Sequence, residues 1–122
     1  MTVLLTGGAG YIGSHVAVEL LQSGYDVIIA DNFYNSSQEV PKRIRKITEK
    51  SVRTYNVDIQ NSAALEQIFK QHEINAVMHF AGYKAVGEAV QQPLKYYRGN
   101  LDSTLTLLET MGKYQVKNLI FS

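Results

Sequence analysis

The chain has 122 residues, 45% of them hydrophobic and 19% charged, with a net charge of +1; this suffices for one domain burying roughly two thirds of its unfolded surface and excludes a disordered chain. Charges of both signs are interspersed, so no field draws the chain to nucleic acid or to a membrane surface, and the apolar runs are strand-sized, too short to span a bilayer. There is no cysteine, which excludes disulfides, thiolate chemistry and Cys-based metal sites; with the first apolar run at the start of the sequence no signal peptide is expected, and a cytoplasmic setting is expected.

Val3, Leu4 and Leu5 form the short apolar run of a strand buried on both faces. Gly7, Gly10 and Gly13 follow at three-residue spacing. From Ile12 the period turns helical through Val16, Leu20 and Leu21, and Gly24 closes the helix. Tyr25 to Ala30 reads as a second strand with Asp31 at its end. Strand, glycine turn, helix and a strand ending in a carboxylate together make a dinucleotide site, which a turn merely joining strand to helix would not require. Gly7 allows the tight turn, Gly10 lets the chain lie against a pyrophosphate, and Gly13 lets the helix pack close to the sheet. The N–H groups and dipole at the helix start attract the phosphate charge. Asp31 lies 18 residues past Gly13, where a carboxylate can accept both hydroxyls of the adenosine ribose. With no Arg beside it, NAD is expected rather than NADP.

The polar loop after Asp31 leaves the same strand end, which puts Asn35 and Ser36 beside the adenosine ribose or the phosphates. Residues 41 to 50, opened by Pro41, carry Lys42, Arg43, Arg45, Lys46 and Lys50 around Ile44 and Ile47; the run reads as a solvated helix face rather than a phosphate patch. Val52 to Val57 is a third strand, ending at Asp58-Ile59. Asn61 or Ser62 caps the next helix, whose inner face is Leu65, Ile68 and Phe69. Ala76 to Phe80 is the fourth strand, with Ala81-Gly82 turning out of it. His79 has no second histidine or patterned carboxylate beside it and reads as a packed strand histidine. Lys84 follows as a cation able to bond ribose hydroxyls.

Pro93 opens the longest helix, with Leu94, Tyr97, Leu101, Leu105, Leu108 and Met111 as one apolar stripe that Thr104 and Leu107 widen. Gly99 lies inside it at a cost of about 0.5–1 kcal/mol relative to Ala, with no local reason. Lys117 to Phe121 begins a fifth strand, and Ser122 falls in mid-motif. Alternating strands and helices predict an α/β fold: a Rossmann-type doubly wound parallel sheet of five strands in the order 3-2-1-4-5, truncated after strand 5, as one dinucleotide-binding domain over residues 1–122. The first two helices cover one face and the last two the other. The crevice lies where strands 1 and 4 part, which brings Gly7 to Gly13, Asp31, Asp58 and Phe80 to Lys84 onto one rim. No metal site is expected.

Thr6-Gly7-Gly8-Ala9-Gly10-Tyr11-Ile12-Gly13-Ser14-His15 resembles the opening of the extended short-chain dehydrogenase/reductase superfamily. Asp31-Asn32, Asn35-Ser36, Asp58-Ile59, the run from His79 to Glu88 and Pro93 to Tyr97 resemble, more narrowly, the UDP-glucose 4-epimerase family, over the N-terminal third or so of such an enzyme. The resemblance implies an enzyme that keeps NAD bound while a tyrosine phenolate takes the proton of the sugar 4-hydroxyl, hydride leaves C4, and the 4-keto sugar turns over in the site. By it, Tyr11 and Ile12 contact the pyrophosphate, and Asp31, Asn32, Asn35 and Ser36 hold the adenosine ribose side. Asp58 and Ile59 flank adenine, and Phe80, Ala81, Gly82 and Lys84 line the ribose and nicotinamide half. It implies a UDP-sugar substrate for the full-length form and a homodimer or other self-association through residues 94–111. Two departures stand out. Arg98-Gly99-Asn100 replaces an asparagine pair, removing an amide near the nicotinamide half. No tyrosine is followed by Lys four residues on, so the catalytic Tyr-x-x-x-Lys is absent, no catalytic residue is assigned, and the chain by itself is expected to be inactive. The alternatives are the cofactor-binding part of a related sugar-nucleotide dehydratase or decarboxylase, against which His79 to Glu88 argues, and a non-catalytic NAD-binding module.

Overall fold

Leu4, Leu5 and Ile29 are wholly buried, and burial on both faces is why β1 (Thr2–Thr6) and β2 (Asp26–Asp31) are near-continuous apolar runs. The computed structural model describes residues 1–33, 37–81, 91 and 93–121, with Tyr96 and Tyr97 described by their backbone only. Around β1 and β2 run α1 (Tyr11–Gln22), α2 (Val40–Thr48), β3 (Arg53–Asn56), α3 (Ser62–Gln71), β4 (Ala76–His79), α4 (Pro93–Lys113) and β5 (Asn118–Phe121). The five strands form one parallel sheet in the order β3-β2-β1-β4-β5, the doubly wound order expected. Strand 3 is shorter than its sequence run; it lies at the sheet edge with its side chains partly exposed.

Alternating side chains divide the interior into two cores. Val3, Leu5, Val27 and Ile29 pack with Ala17 and Leu21 of α1 and Ile44 of α2. Leu4, Ile28, Ala30 and Val77 pack with Leu65, Ile68 and Phe69 of α3 and with Leu107 and Met111 of α4. Helix ends follow local chemistry. At the end of α1 the Tyr25 N–H donates to the Leu20 carbonyl (3.0 Å) and the Gly24 N–H to that of Leu21 (3.2 Å), a Schellman closure. The Asn61 side chain caps α3, accepting from the Ala64 N–H at 3.2 Å. The basic segment is a solvated face, and two of its lysines serve structure: Lys42 pairs with Glu39, and Lys50 Nζ donates to the Leu21 carbonyl at 2.6 Å, satisfying the end of α1.

Helix α4 departs from the expected stripe. Leu94, Leu101, Leu105 and Leu108 face solvent, whereas Gly99, Ser103, Leu107, Thr110 and Met111 are buried. The helix carries apolar residues on more than one flank, so periodicity alone does not choose the inner one. The buried face mixes Gly99, Ser103 and Thr110 with Leu107 and Met111. Of the described stripe, Met111 and the flanking Leu107 point inward; the Tyr97 side chain lies outside the described residues. Lys113 of α4 is paired with Glu66 of α3. Among the described residues no helix is long and apolar enough to cross a membrane, and no cluster could hold a metal ion.

Candidate functional site

In a parallel sheet every strand delivers the chain to the same edge, so residues far apart in sequence meet where β1, β2, β3 and β4 end. The turn after β1 is the centre. Gly7 has φ +71°, and a β-carbon on it would lie 2.6 Å from the Ala81 nitrogen and 2.8 Å from its Cα. Only glycine takes this backbone and lets the exits of β1 and β4 touch. Gly13 is closed to side chains for another reason: its β-carbon would stand 2.5 Å from the Gly7 oxygen and 2.8 Å from the Gly8 Cα, so α1 rests directly on the turn. Gly10 is the N-cap of α1 in extended conformation, without a side-chain cap, and the first turn holds no acidic residue. The first intrahelical bond there is Ser14 N–H to Gly10 C=O at 2.9 Å, which leaves the N–H groups of Tyr11, Ile12 and Gly13 free of intrahelical partners and their dipole uncompensated. That end of the helix is built for an anion.

Asp31 is only 8% exposed. Its Oδ2 accepts from the Ala9 N–H at 3.0 Å and its Oδ1 from the Phe33 N–H at 2.7 Å. The carboxylate therefore joins the glycine turn to the exit of β2, in a fixed orientation and with lone pairs to spare. Phe33 takes φ +58° to reach it, an uncommon backbone for an aromatic residue.

The other expected residues fall as follows. Tyr11, 82% exposed, and Ile12 stand out from the start of α1 into solvent, with the Tyr11 ring 4.7 Å from that of His15. Asn32 is exposed beside Asp31. Asp58 follows β3, is exposed, and accepts from the Gln60 N–H at 2.9 Å. The Ile59 side chain belongs to the core, so whatever Ile59 offers a ligand comes from its backbone. Phe80 and Ala81 leave β4 against β1, the Phe80 N–H donating to the Thr6 carbonyl at 2.8 Å. Asn35, Ser36, Gly82 and Lys84 lie outside the described residues. A groove of about 590 Å³ begins at Ala9, Gly10 and Tyr11 and runs between α1 and α2 past His15, Arg43 and Ile44.

Sequence reasoning passed over Ala9, which contributes an N–H and no side chain, and Phe33, whose role is a backbone conformation. It also left Thr6 unread and His79 without partners. His79 is 2% exposed, a packed histidine as expected, and its Nδ1 lies 2.5 Å from Thr6 Oγ1. The pairing follows from register, which makes Thr6 and His79 partners on adjacent strands.

Residues 3–122 match the family described as the NAD dependent epimerase/dehydratase family. The UDP-glucose 4-epimerase of Bacillus subtilis (strain 168) is 52% identical over 122 residues, covering all of this chain and 36% of the relative. That of Mus musculus is 52% identical over 126 residues, covering 98% of this chain and 36% of the relative. Among solved structures, the UDP-glucose 4-epimerase of Bifidobacterium longum in complex with NAD+ and UDP superposes with a TM-score of 0.99 at 51% identity, covering 100% of this chain and 36% of that one. The Stenotrophomonas maltophila enzyme, with bound NAD and formylated UDP-arabinopyranose, gives 0.97 at 42% identity over 99% of this chain and 36% of that one. The chain thus spans about 36% of the length of the relatives it matches.

Proposed function

Because the chain belongs to the NAD dependent epimerase/dehydratase family, we propose that residues 1–122 are the NAD-binding part of a 4-epimerase that interconverts UDP-glucose and UDP-galactose. One contact carries the proposal furthest: the 3.0 Å bond from the Ala9 N–H to Asp31 Oδ2 brings the phosphate-type turn and the ribose-type carboxylate to one lip. The residues present fit the cofactor. The N–H groups of Tyr11, Ile12 and Gly13 would hold the diphosphate, and Asp31 with Asn32, Asn35 and Ser36 the adenosine ribose. Asp58 and the Ile59 backbone would flank adenine, and Phe80, Ala81, Gly82 and Lys84 the ribose and nicotinamide half. When bound, NAD supplies reversible hydride transfer at the sugar C4. Asp31 sets the preference for an unphosphorylated ribose, since a 2′-phosphate would meet its negative charge.

No tyrosine among the 122 residues is followed by Lys at the fourth place, so these residues bind and orient, and the proton transfers of the epimerisation belong to residues beyond them. On their own they amount to an NAD-binding module. Self-association is part of the proposal: Leu94, 69% exposed, lies on α4 with the exposed Leu101, Leu105 and Leu108, an uncovered apolar face suited to a second copy. So is a cytoplasmic setting; no nucleic-acid or membrane partner is proposed.

The experiment supplies UDP-galactose, and separately UDP-glucose, to the full-length protein. Interconversion without added oxidant supports the proposal, while a 4-keto-6-deoxy product would assign a dehydratase instead. Asp31→Asn sets an amide N–H₂ against one of the two backbone donors and should weaken NAD binding about tenfold or more. Unchanged affinity would refute the role given to Asp31.

A further inference from the structure

Four hydrogen bonds at the exits of β1 and β4 share a direction. Thr104 Oγ1 donates to the Asn100 carbonyl at 2.9 Å, so towards His79 Nε2, 3.4 Å away, it offers only a lone pair. His79 Nε2 therefore carries a proton, and in the neutral ring Nδ1 is then an acceptor. The group facing Nδ1 is the Thr6 hydroxyl at 2.5 Å, which must donate. That spends the one proton of Thr6 and leaves its lone pairs for the Ala81 N–H, 3.4 Å away. The order is Ala81 N–H to Thr6, Thr6 to His79, His79 to Thr104, and Thr104 to the α4 backbone. The ring at its centre is 2% exposed and lies 5.3 Å from that of Phe121 on β5. Ala81 is also the residue whose backbone presses on Gly7.

We propose that His79 is a positioning residue for the cofactor. Through Thr6 it pins Ala81, and with it the contact between the β4 exit and the Gly7 turn, so that both strand exits meet the dinucleotide as one rigid lip. This rests on the reading that the site binds NAD. Removing the Thr6 hydroxyl takes away the acceptor of the Ala81 N–H and the group that faces His79 Nδ1, which loosens Ala81 before it loosens the core.

The test uses the full-length protein and follows exchange of bound NAD with labelled NAD, alongside thermal unfolding. Thr6→Ser keeps the hydroxyl and should exchange at the parent rate, whereas Thr6→Val should exchange about five- to tenfold faster, the worth of one hydrogen bond. His79→Asn places an amide oxygen where Nδ1 stands and should retain NAD better than His79→Gln, whose amide reaches the Thr104 side instead. A purely structural histidine would lower the unfolding temperature in both without that ranking. Should Thr6→Val not fold, Thr104→Val against Thr104→Ser, at a half-buried helix position, gives the same comparison. Equal exchange for the valine and serine variants, or no difference between His79→Asn and His79→Gln, would overturn the proposal. A parent protein that binds no NAD would overturn both this and the function proposed above.

Discussion

Replacing Gly13 by alanine would set a β-carbon 2.5 Å from the Gly7 oxygen and 2.8 Å from the Gly8 Cα. Both are backbone atoms that no rotamer change can move aside, so α1 must lift from the turn by most of an ångström. Overpacking of this kind costs about 1–3 kcal/mol. Alanine's advantage over glycine in a helix offsets about 0.5–1 kcal/mol, which leaves a net loss of about 0–2.5 kcal/mol. Gly112 supplies the internal control: it lies in α4 with nothing within 4 Å of its would-be β-carbon, so Gly112→Ala should stabilise by about 0.5–1 kcal/mol. Urea unfolding of the two variants and the parent measures both effects. The lift also carries the N–H groups of Tyr11 and Ile12 away from the lip, so NAD release should quicken in Gly13→Ala and stay unchanged in Gly112→Ala. Stabilisation of Gly13→Ala, a shift of the same sign as in Gly112→Ala, would refute the packing account of the turn.

Other changes address single features. Gln115 closes α4 with φ +59°, in the place Gly24 takes after α1; Gln115→Gly should stabilise by about 0.5–1 kcal/mol in the same unfolding assay, the relief of left-handed backbone less glycine's entropy. Thr54 Oγ1 on β3 is buried without a hydrogen-bond partner among the described residues, so Thr54→Val should be neutral or raise stability by about 0.5–1 kcal/mol, as read by thermal unfolding. The Lys113 hydrogen bond holds the Glu66 carboxyl below its ordinary value of 4.5, and the same bond holds Lys113 above 10.5. A lowered carboxylate stabilises above its unfolded pKa and loses that as pH falls through its folded one; a raised ammonium stabilises below its unfolded pKa and loses that as pH rises through its folded one. A double-mutant cycle of Glu66→Gln and Lys113→Met should therefore show coupling at neutral pH that fades in acid, in strong alkali and in high salt.

The inner strands were legible because burial on both faces leaves an unbroken apolar run: Val3 to Leu5 and Val27 to Ala30 could hardly be read otherwise. Strand order followed from the alternation of elements and the hand of the crossovers, and the glycine spacing with Asp31 located the turn. The inner face of α4 was hidden, because Gly99, Ser103 and Thr110 carry no hydrophobic signal while the outward leucines do. The partners of His79 were hidden too, since they come from register and from a helix brought over the sheet, neither of which a linear pattern encodes. Edge strand β3, with Arg53 and Asn56 exposed at its ends, gave little apolar contrast from which to read its limits.

The sheet is a partition as well as a floor. The turn and α1 belong to the storey that contains Leu5, Ala17 and Ile44, while Ala81 belongs to the one that contains Leu4, Val77 and Leu107, on the side where Thr104 reaches His79. Substitutions accumulating above the floor would retune the diphosphate end of the cleft, and those below it the opposite end, except where the Gly7 turn meets Ala81. The two sides are held in common by the strands between them and by the contact of the Ala81 backbone with the Gly7 turn.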